Sequence, residues 1–247
     1  MAKRWIYGIN PVFEALTTKQ HIQAVYITKG WKRDRAELLS LAGRAKVNVE
    51  EAGKEFFDKF HGQTHQGICA LLSEKQRLFS VEELFQSAVN PLFVILDGIE
   101  DPRNFGAILR TSEIAGASGV IFQTHRSAGL SPLVDKTSSG ASFYIPMATV
   151  PNIKNSMRYL KDNGVTVYGA DAASEHSLWS VDLTGPAAFV FGSEGTGLRK
   201  TVSEQCDILV KIPVYGSVNS LNVSVSAGIF LFECKRQREY MKSEHKS

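Results

Sequence analysis

The sequence predicts an α/β fold in which a small α/β module precedes a larger domain built on a mainly parallel sheet. Short apolar segments alternate with amphipathic helical patterns along most of the 247 residues. After residue 91 several apolar segments are uninterrupted, as in strands buried on both faces of a parallel sheet. A polar stretch ending at Pro91 separates these two parts.

Composition is that of a soluble globular protein, with 43% hydrophobic and 21% charged residues. No run of about 18 apolar residues is present, which argues against a membrane partner. The first eleven residues lack the apolar segment of a secretory signal, so we expect a cytoplasmic location. The net charge of +3 permits a nucleic-acid partner without requiring one.

Two basic clusters and three cysteines have simple structural explanations. The clusters at 29–35 and 234–242 favour solvated helix faces over binding patches. The cysteines, odd in number and flanked by apolar residues, are expected to be reduced core thiols; they are Cys69, Cys206 and Cys234.

We expect no metal site. His61 and His65 have the spacing of a metal-binding pair on a helix, but Gly62 opposes a helix there and no third ligand is near in sequence. Loop histidines on a polar surface are the simpler interpretation.

Residues 1–75 are predicted to form the first domain. Asn10 as an N-cap and Pro11 at the first helical position predict a helix that begins near residue 11. Strand, helix, strand, helix and strand patterns follow at QAVYITK, DRAELLSLAGRA, VNVEEA, KEFFDKF and GICALL.

Residues 76–91 are predicted to be a linker. The segment is polar at first, and a capping box from Ser80 to Glu83 then opens one short amphipathic helix before Pro91.

Residues 92–247 are predicted to form the second domain. Strand and helix patterns alternate at LFVILDG, FGAILRTSEIAGA, GVIFQT, NIKNSMRYLKDNG, VTVYGAD, AAFVFGSEG and ILVKIPVYG, before a C-terminal helix. Ligands of such sheets bind at the carboxyl ends of the strands, so the loops after the strands are where chemistry is expected.

The first such loop follows the strand that ends at Asp97 and Gly98. Asn104 is placed to cap the next helix, and Arg110 lies six residues further on. Taken alone, these residues are better explained as a helix cap and a surface cation than as site residues.

The second loop is the glycine-rich segment 189–198. Its glycines allow a sharp turn and a close approach of backbone to a ligand. It matches neither a P-loop nor the dinucleotide fingerprint, so a nucleoside cofactor without a pyrophosphate suits it better. Glu194, in the turn, is either an exposed charge or a residue aimed into the site.

The third loop, 216–228, alternates polar and apolar residues as a half-buried strand does. Yet it holds two asparagines and four serines, which favour loops and caps because they bond nearby backbone. Ser220 or Asn222 could cap the final helix, but one cap does not explain six such residues.

Together, NFGAILRT, FVFGSEGTGL and IPVYGSVNSLNVSVSAG resemble, in order and spacing, the three motifs of the SpoU (TrmH-like) branch of the SPOUT RNA 2'-O-ribose methyltransferases. The resemblance covers residues 91 to about 240. YGINPVFEAL and HGQTHQGICA also resemble the RNA-binding substrate module of bacterial 23S rRNA guanosine 2'-O-methyltransferases. Phe105 departs from the motif, where a smaller aliphatic residue is common, and no effect on activity is expected.

The resemblance implies a SPOUT-type sheet with a C-terminal trefoil knot, S-adenosyl-L-methionine as cofactor, RNA as partner and a homodimer with sites near the subunit interface. It places the family's cofactor positions at Gly192, Ile212 and Leu221. It places the family's catalytic positions at Asn104, Arg110, Glu194, Ser220 and Asn222. The segment 216–228 is then a loop lining cofactor and ribose, with Leu221 and Val223 facing inward, before a helix near Val223 to Ser226.

The chemistry that the resemblance implies is an in-line methyl transfer to a ribose hydroxyl, which needs alignment and stabilisation of a developing alkoxide. Arg110 is expected to act electrostatically, because a guanidinium keeps its proton with a pKa above about 12. Asn104, Ser220 and Asn222 would orient the ribose and Arg110, and Glu194 would orient Arg110 or bind substrate.

Three classes of function compete at this level. The favoured one is RNA 2'-O-methylation, of a guanosine in 23S rRNA or, as the alternative substrate, of tRNA. A non-catalytic RNA-binding ribosome assembly factor is disfavoured by the intact motif residues. A phosphotransferase would need a phosphate-binding lysine and metal-binding carboxylates, which are not found.

Overall fold

The structure is a computed structural model that describes residues 4–60, 62–74 and 76–244. The chain divides into two compact units. The first comprises the residues up to Arg77 together with Leu130–Tyr144, and the second comprises Leu78–Gly129 and the residues from Ile145 onward.

The first unit is built on a four-stranded sheet in the order β1-β4-β2-β3. The strands are β1 (Arg4–Tyr7), β2 (Ile22–Thr28), β3 (Asn48–Ala52) and β4 (Ile68–Leu72). β4 pairs antiparallel with β1 and β2, and β3 pairs parallel with β2. The helices of this unit are α1 (Ile9–Thr17), α2 (Arg35–Ala45), α3 (Lys54–Asp58) and α6 (Pro132–Thr137).

Helix α1 begins two residues earlier than predicted. Gly8, at φ 99°, precedes the helix, so Asn10 lies inside its first turn and is not the cap. Pro11 is tolerated there because the first backbone N–H groups of a helix have no intrahelical partner.

The segment Leu130–Tyr144 was predicted to belong to the second domain, but it packs within the first unit. Asp135 is fully buried, forms an ion pair with Arg4 and accepts a hydrogen bond from Ser142 Oγ at 2.9 Å. Phe143 joins the apolar core that includes Val12 of α1. A buried carboxylate is stable only with such partners, so the contacts of Asp135 fix the segment Leu130–Tyr144 within the first unit.

The second unit confirms the predicted mainly parallel sheet. Six strands, all parallel, lie in the order β10-β8-β9-β5-β6-β7. They are β5 (Leu92–Asp97), β6 (Gly119–Gln123), β7 (Met147–Val150), β8 (Thr166–Ala170), β9 (Ala187–Gly192) and β10 (Ile208–Val210). The helices are α4 (Val81–Gln86), α5 (Pro102–Ile114), α7 (Ile153–Asp162), α8 (Lys200–Ser203) and α9 (Val223–Glu244).

Helices cover both faces of this sheet. On one face, Phe93 of β5 packs in a core with Met157 of α7. On the other face α5 and α9 pack together, and Phe230 of α9 makes edge-to-face contacts with Phe189 and Phe191 of β9. Strand residues that alternate in sequence therefore supply two separate cores, as expected for a doubly covered sheet.

The segment predicted to be a linker is part of the second unit from residue 78 onward. The capping box is confirmed, since Ser80 Oγ accepts from the backbone N–H of Glu83 and the Glu83 carboxylate accepts from that of Ser80. Val81 and Leu84 are buried in the same core as Phe93, so α4 covers the sheet instead of spanning a gap.

The basic cluster at the end of the chain is not simply a solvated face. Arg238 is only 8% exposed and donates to four backbone carbonyls, those of Asn90, Pro91, Leu183 and Gly185, at 2.5–3.2 Å. Four of the five guanidinium N–H groups are thus hydrogen-bonded inside the protein, and they anchor α9 to the loops before β5 and β9. Among the described helices, none is long and apolar enough to cross a membrane.

Candidate active site

The second and third loops identified in the sequence line one cavity of about 550 Å³ at the carboxyl ends of β8, β9 and β10. Its walls come from 170–173, 191–198, 210–212, Val214 and 219–223, with Ser226 and Phe230 of α9. The location agrees with the rule that parallel sheets bind ligands beyond their carboxyl ends.

The glycine-rich loop folds back tightly on the end of β9. A Cβ atom on Gly192 would lie 2.1 Å from the carbonyl carbon of Gly197, so no side chain fits at position 192. Gly195 and Gly197 have φ angles of +88° and +66°, a region that favours glycine. The Gly197 N–H donates to the Ser193 carbonyl at 2.9 Å, which closes the turn.

The alternating segment is a loop, as the resemblance implied, and α9 begins at Val223. Asn222 caps the helix: its Oδ1 accepts from the Ser224 N–H at 2.9 Å and its carbonyl from the Ser226 N–H at 3.0 Å. Val223 is buried as expected, but Leu221 is 44% exposed, because it lies in the loop at the cavity wall before the helix begins.

Asn222 also brings together residues from the first two loops. Its Nδ2 donates to Asn104 Oδ1 at 3.0 Å and to Glu194 Oε1 at 2.6 Å. The orientation of the amide follows from the cap, because the Ser224 N–H can only donate and therefore faces Oδ1. Since Oδ1 also accepts from Ser224 Oγ at 2.6 Å, the amide has no hydrogen-bonding capacity left. Asn222 thus holds the side chains of Asn104 and Glu194 close to each other.

Asn104 is not the cap of α5, contrary to the prediction. The helix begins at Pro102, and Asp101 caps it by accepting from the Arg103 N–H at 2.9 Å. Proline favours the first helical position, which moves the cap to the residue before it. Asn104 lies buried in the first turn, where Asn222 can reach it.

A second network, missed in the sequence, ties the glycine-rich loop to the neighbouring strands. Asp97, buried at the end of β5, accepts from the Arg199 backbone N–H at 3.0 Å and from its Nε at 2.6 Å. Nη2 of Arg199 also pairs with Asp97 and donates to Gln123 Oε1 of β6 at 2.7 Å. The available signal was an acidic residue closing an otherwise apolar strand.

A second cavity, of about 400 Å³, adjoins the first. Ser193, Glu194, Thr196 and Val223 line both. Asn104, Glu100, Asp101 and Arg126 line only the second. Glu194 therefore stands on the wall between two concavities.

The other predicted site residues are distributed unevenly. Gly192, Ile212, Ser220 and Leu221 line the first cavity. Arg110 is exposed on α5 and lines neither cavity. Their functional roles stay predictions.

Titration and metal chemistry add little to this site. Burial raises the pKa of the Cys206 thiol to about 12. No group of three or more potential metal ligands occurs among the described residues, and His61 lies outside them.

The first unit has a cavity of its own, of about 570 Å³. Lys29 and Lys54 line it together with Phe57 and His65, whose rings stack at 4.9 Å. Cations beside stacked rings are suited to nucleic acid.

Comparisons with known proteins agree with this architecture. The SpoU rRNA Methylase family matches residues 91–232, and the family described as RNA 2'-O ribose methyltransferase substrate binding matches residues 5–78. The 23S rRNA (guanosine-2'-O-)-methyltransferase RlmB of Pseudomonas putida is 39% identical over 95% of this chain and 96% of its own.

Solved structures share the fold. A putative RNA methyltransferase of the TrmH family from Porphyromonas gingivalis is 29% identical, with a TM-score of 0.73 over 95% of this chain and 90% of its own. The SpoU methyltransferase AviRb from Streptomyces viridochromogenes, solved with AdoMet, has a TM-score of 0.81 over 96% and 91% of the two chains; at 22% identity it shows the fold alone.

Proposed function

The chain belongs to the SpoU rRNA methylase family, and from this premise we propose that it methylates the 2'-hydroxyl of a guanosine in 23S rRNA with S-adenosyl-L-methionine as donor. One observation carries the proposal: Glu194, held by Asn222, stands between two adjoining cavities. Methyl transfer needs a donor and an acceptor on two sides of one reacting centre.

The first cavity fits the cofactor. Its volume lies in the range typical of small-molecule sites, and the bare backbone at Gly192 leaves room for close approach. Gly192, Ile212 and Leu221 would hold S-adenosylmethionine, which when bound supplies a methyl group activated by its sulfonium. The loop carries no phosphate-binding lysine, consistent with a nucleoside that lacks a pyrophosphate.

The polar cluster positions the ribose. Asn222 holds one carboxylate oxygen of Glu194, and the other oxygen accepts a hydrogen bond from the 2'-hydroxyl. Ser220 and Asn104 orient the sugar from either side. As the 2'-oxygen attacks the methyl carbon, its proton passes to the Glu194 carboxylate that accepts its hydrogen bond, and a nearby cation stabilises the developing negative charge on the oxygen.

Arg110 supplies that cation from the second subunit of a homodimer. An apolar stripe on α9 is exposed at Val225 (49%) and Phe232 (50%), and Ile114 of the adjacent α5 is 61% exposed. A second copy covering this stripe would bury it. Arg110 lies exposed on α5 and away from its own cavities, so it acts on the site of the partner.

The trefoil knot belongs to the same proposal. The loop after β10 and the loop after β9 line one cavity, so the chain before α9 lies beside the glycine-rich turn. We infer that the segment before α9 threads through the part of the chain that carries the glycine-rich turn. The fold would then be an exception to the rule that connections do not thread through loops.

The substrate assignment rests on the whole chain. The first unit matches a substrate-binding family and carries the cavity with Lys29, Lys54 and the Phe57–His65 stack. The relative that acts on 23S rRNA is matched along nearly its entire length. These points favour 23S rRNA over tRNA, and rRNA modification implies a cytoplasmic location.

The function is tested with purified protein, radiolabelled cofactor and separated rRNA and tRNA from a strain that lacks the gene. We expect label in 23S rRNA, at a guanosine 2'-O position. Label in tRNA would contradict the substrate assignment. Cofactor binding without label in either RNA would favour the RNA-binding assembly factor.

The shared site is tested by mixing subunits. Arg110→Ala and Glu194→Ala should each bind cofactor but lose most turnover. In a random mixture half of the dimers are mixed, and each holds one intact site, so activity should recover to about one quarter of wild type by this counting of sites. Arg158→Ala, an exposed arginine on α7, is the control and should keep full activity. No recovery on mixing would place Arg110 in its own subunit's site or in a structural role.

A further inference from the structure

We propose that the second cavity binds the guanine base of the methylated nucleotide, with Glu100 and Arg126 recognising its edge. The inference rests on the proposed function and deepens it by naming specificity residues. The base is joined to the ribose carbon next to the one that carries the 2'-hydroxyl. A nucleotide whose hydroxyl lies at Glu194 therefore places its base close to that residue.

The second cavity is suited to receive that base. It shares Glu194 with the first cavity and is also lined by residues 97–101, which precede α5, and by Asn104 in the first turn of that helix. Its volume of about 400 Å³ lies within the range for small-molecule sites. RNA bases are recognised when unstacked, and enzymes acting on a nucleotide commonly turn it out into a pocket.

Some of the charged groups that line this cavity already form hydrogen bonds within the protein, and others do not. Asp97 and Arg199 bond each other. Asp101 caps α5 and contacts Asn104 Nδ2 at 3.4 Å. For Glu100 and Arg126, no hydrogen bond or ion pair is formed within residues 4–60, 62–74 and 76–244. Glu194 is held by Asn222 and is assigned to the ribose, so Glu100 and Arg126 are the exposed carboxylate and guanidinium that remain for the base.

The backbone at Arg126 is also unusual. Its φ angle is +59°, in the left-handed region that residues other than glycine adopt at a cost. Such strain concentrates at ligand-binding sites, where the surrounding structure holds it. Five other non-glycine residues among those that the structure describes share this region, so the conformation of Arg126 supports the proposal only together with its place at the cavity.

Guanine is the base whose pattern fits this pair. Its N1–H and N2–H donors lie side by side and match the two oxygens of a carboxylate. Its O6 and N7 acceptors match an arginine fork. Adenine carries an acceptor at N1 and a donor at N6, so it would set an acceptor against Glu100 and a donor against Arg126.

The test uses base analogues that remove one contact each. An rRNA fragment that wild type methylates is made with guanosine, inosine or 7-deazaguanosine at the methylated position. Inosine lacks the N2 amine and 7-deazaguanosine lacks N7. A hydrogen bond to a charged group predicts that wild type prefers guanosine by about 10-fold over either analogue in kcat/KM.

Glu100→Ala should lose the preference over inosine and keep that over 7-deazaguanosine, and Arg126→Ala should do the reverse. RNA affinity measured without cofactor should show the same pattern, and cofactor binding should be unchanged. Glu204→Ala and Arg158→Ala, exposed and away from both cavities, should keep both preferences.

Unchanged preferences in Glu100→Ala and Arg126→Ala would overturn the inference, as would a wild type that does not distinguish the analogues. In both cases guanosine methylation by wild type would leave the proposed function standing. A wild type that methylates no guanosine would defeat the proposed function itself.

Discussion

Asn222 has two separable roles, and two substitutions distinguish them. The residue caps α9 through Oδ1 and holds Asn104 and Glu194 through Nδ2. Asn222→Ala removes both roles. Asn222→Asp keeps an acceptor for the Ser224 N–H, and a carboxylate at a helix N-terminus is at least as good a cap.

The expected stabilities differ accordingly. Loss of an asparagine cap costs about 1 kcal/mol, so Asn222→Ala should lower Tm by about 2–4 °C in a chain of this size. Asn222→Asp should leave Tm near wild type when measured at pH 6 and low salt. Thermal unfolding followed by circular dichroism measures both.

The expected activities follow the other role. In Asn222→Asp an oxygen replaces the donor that lies 2.6 Å from Glu194 Oε1 and 3.0 Å from Asn104 Oδ1. At high pH the two carboxylates repel, Glu194 moves, and kcat should fall about 100-fold. As pH falls the two carboxylates share a proton, which restores a hydrogen bond. The ratio of variant to wild-type kcat should therefore rise on acidification.

A variant-to-wild-type ratio that is flat between pH 5.5 and 9 would refute this reasoning. So would an Asn222→Asp protein with full activity at pH 9, because the amide donors would then be dispensable. The RNA and cofactor affinities of Asn222→Asp and of wild type, measured at each pH, separate a change in kcat from a change in binding.

Two further predictions concern the anchor and the turn. Arg238→Met removes four hydrogen bonds from a buried cation and should lower the free energy of unfolding by about 3 kcal/mol, measured by urea denaturation. Arg158→Met, at an exposed position of α7, should leave the urea midpoint nearly unchanged, and equal effects would contradict the anchoring role of Arg238. Gly192→Ala places a methyl group 2.1 Å from the backbone of Gly197 and should weaken cofactor binding, measured by calorimetry, at least about tenfold. Gly185→Ala adds its methyl group in open space and should bind the cofactor normally. Full affinity in Gly192→Ala would contradict the tight turn.

Local signals in the sequence predicted most of the second unit. The parallel strands follow from uninterrupted apolar runs, and the capping box at Ser80 needs only residues three apart. The serines and asparagines of 216–222 favour a loop, but their alternation with valine and leucine is typical of a strand as well, so the resemblance was needed to decide between the two.

Features that depend on distant partners were not predictable. Asp97 and Arg199 are 102 residues apart in sequence, and nothing near either indicates the other. Arg238 is one of several charged residues close together in the sequence. Which of them is buried depends on the backbone carbonyls before β5 and β9 that accept its hydrogen bonds. Asparagine and aspartate are about equally good helix caps, so the sequence does not distinguish Asn104 from the true cap, Asp101.

The return of Leu130–Tyr144 to the first unit makes the two units interdependent as pieces of chain. The polypeptide passes from one unit to the other three times, so no single cut separates them. A continuous fragment that begins at Leu78 would carry Asp135 without Arg4 and Phe143 without its core, and a fragment that ends at Arg77 would lack both Asp135 and Phe143. Chimaeras that exchange RNA specificity between relatives should therefore exchange two segments together, and a graft of residues 4–77 alone would pair mismatched surfaces.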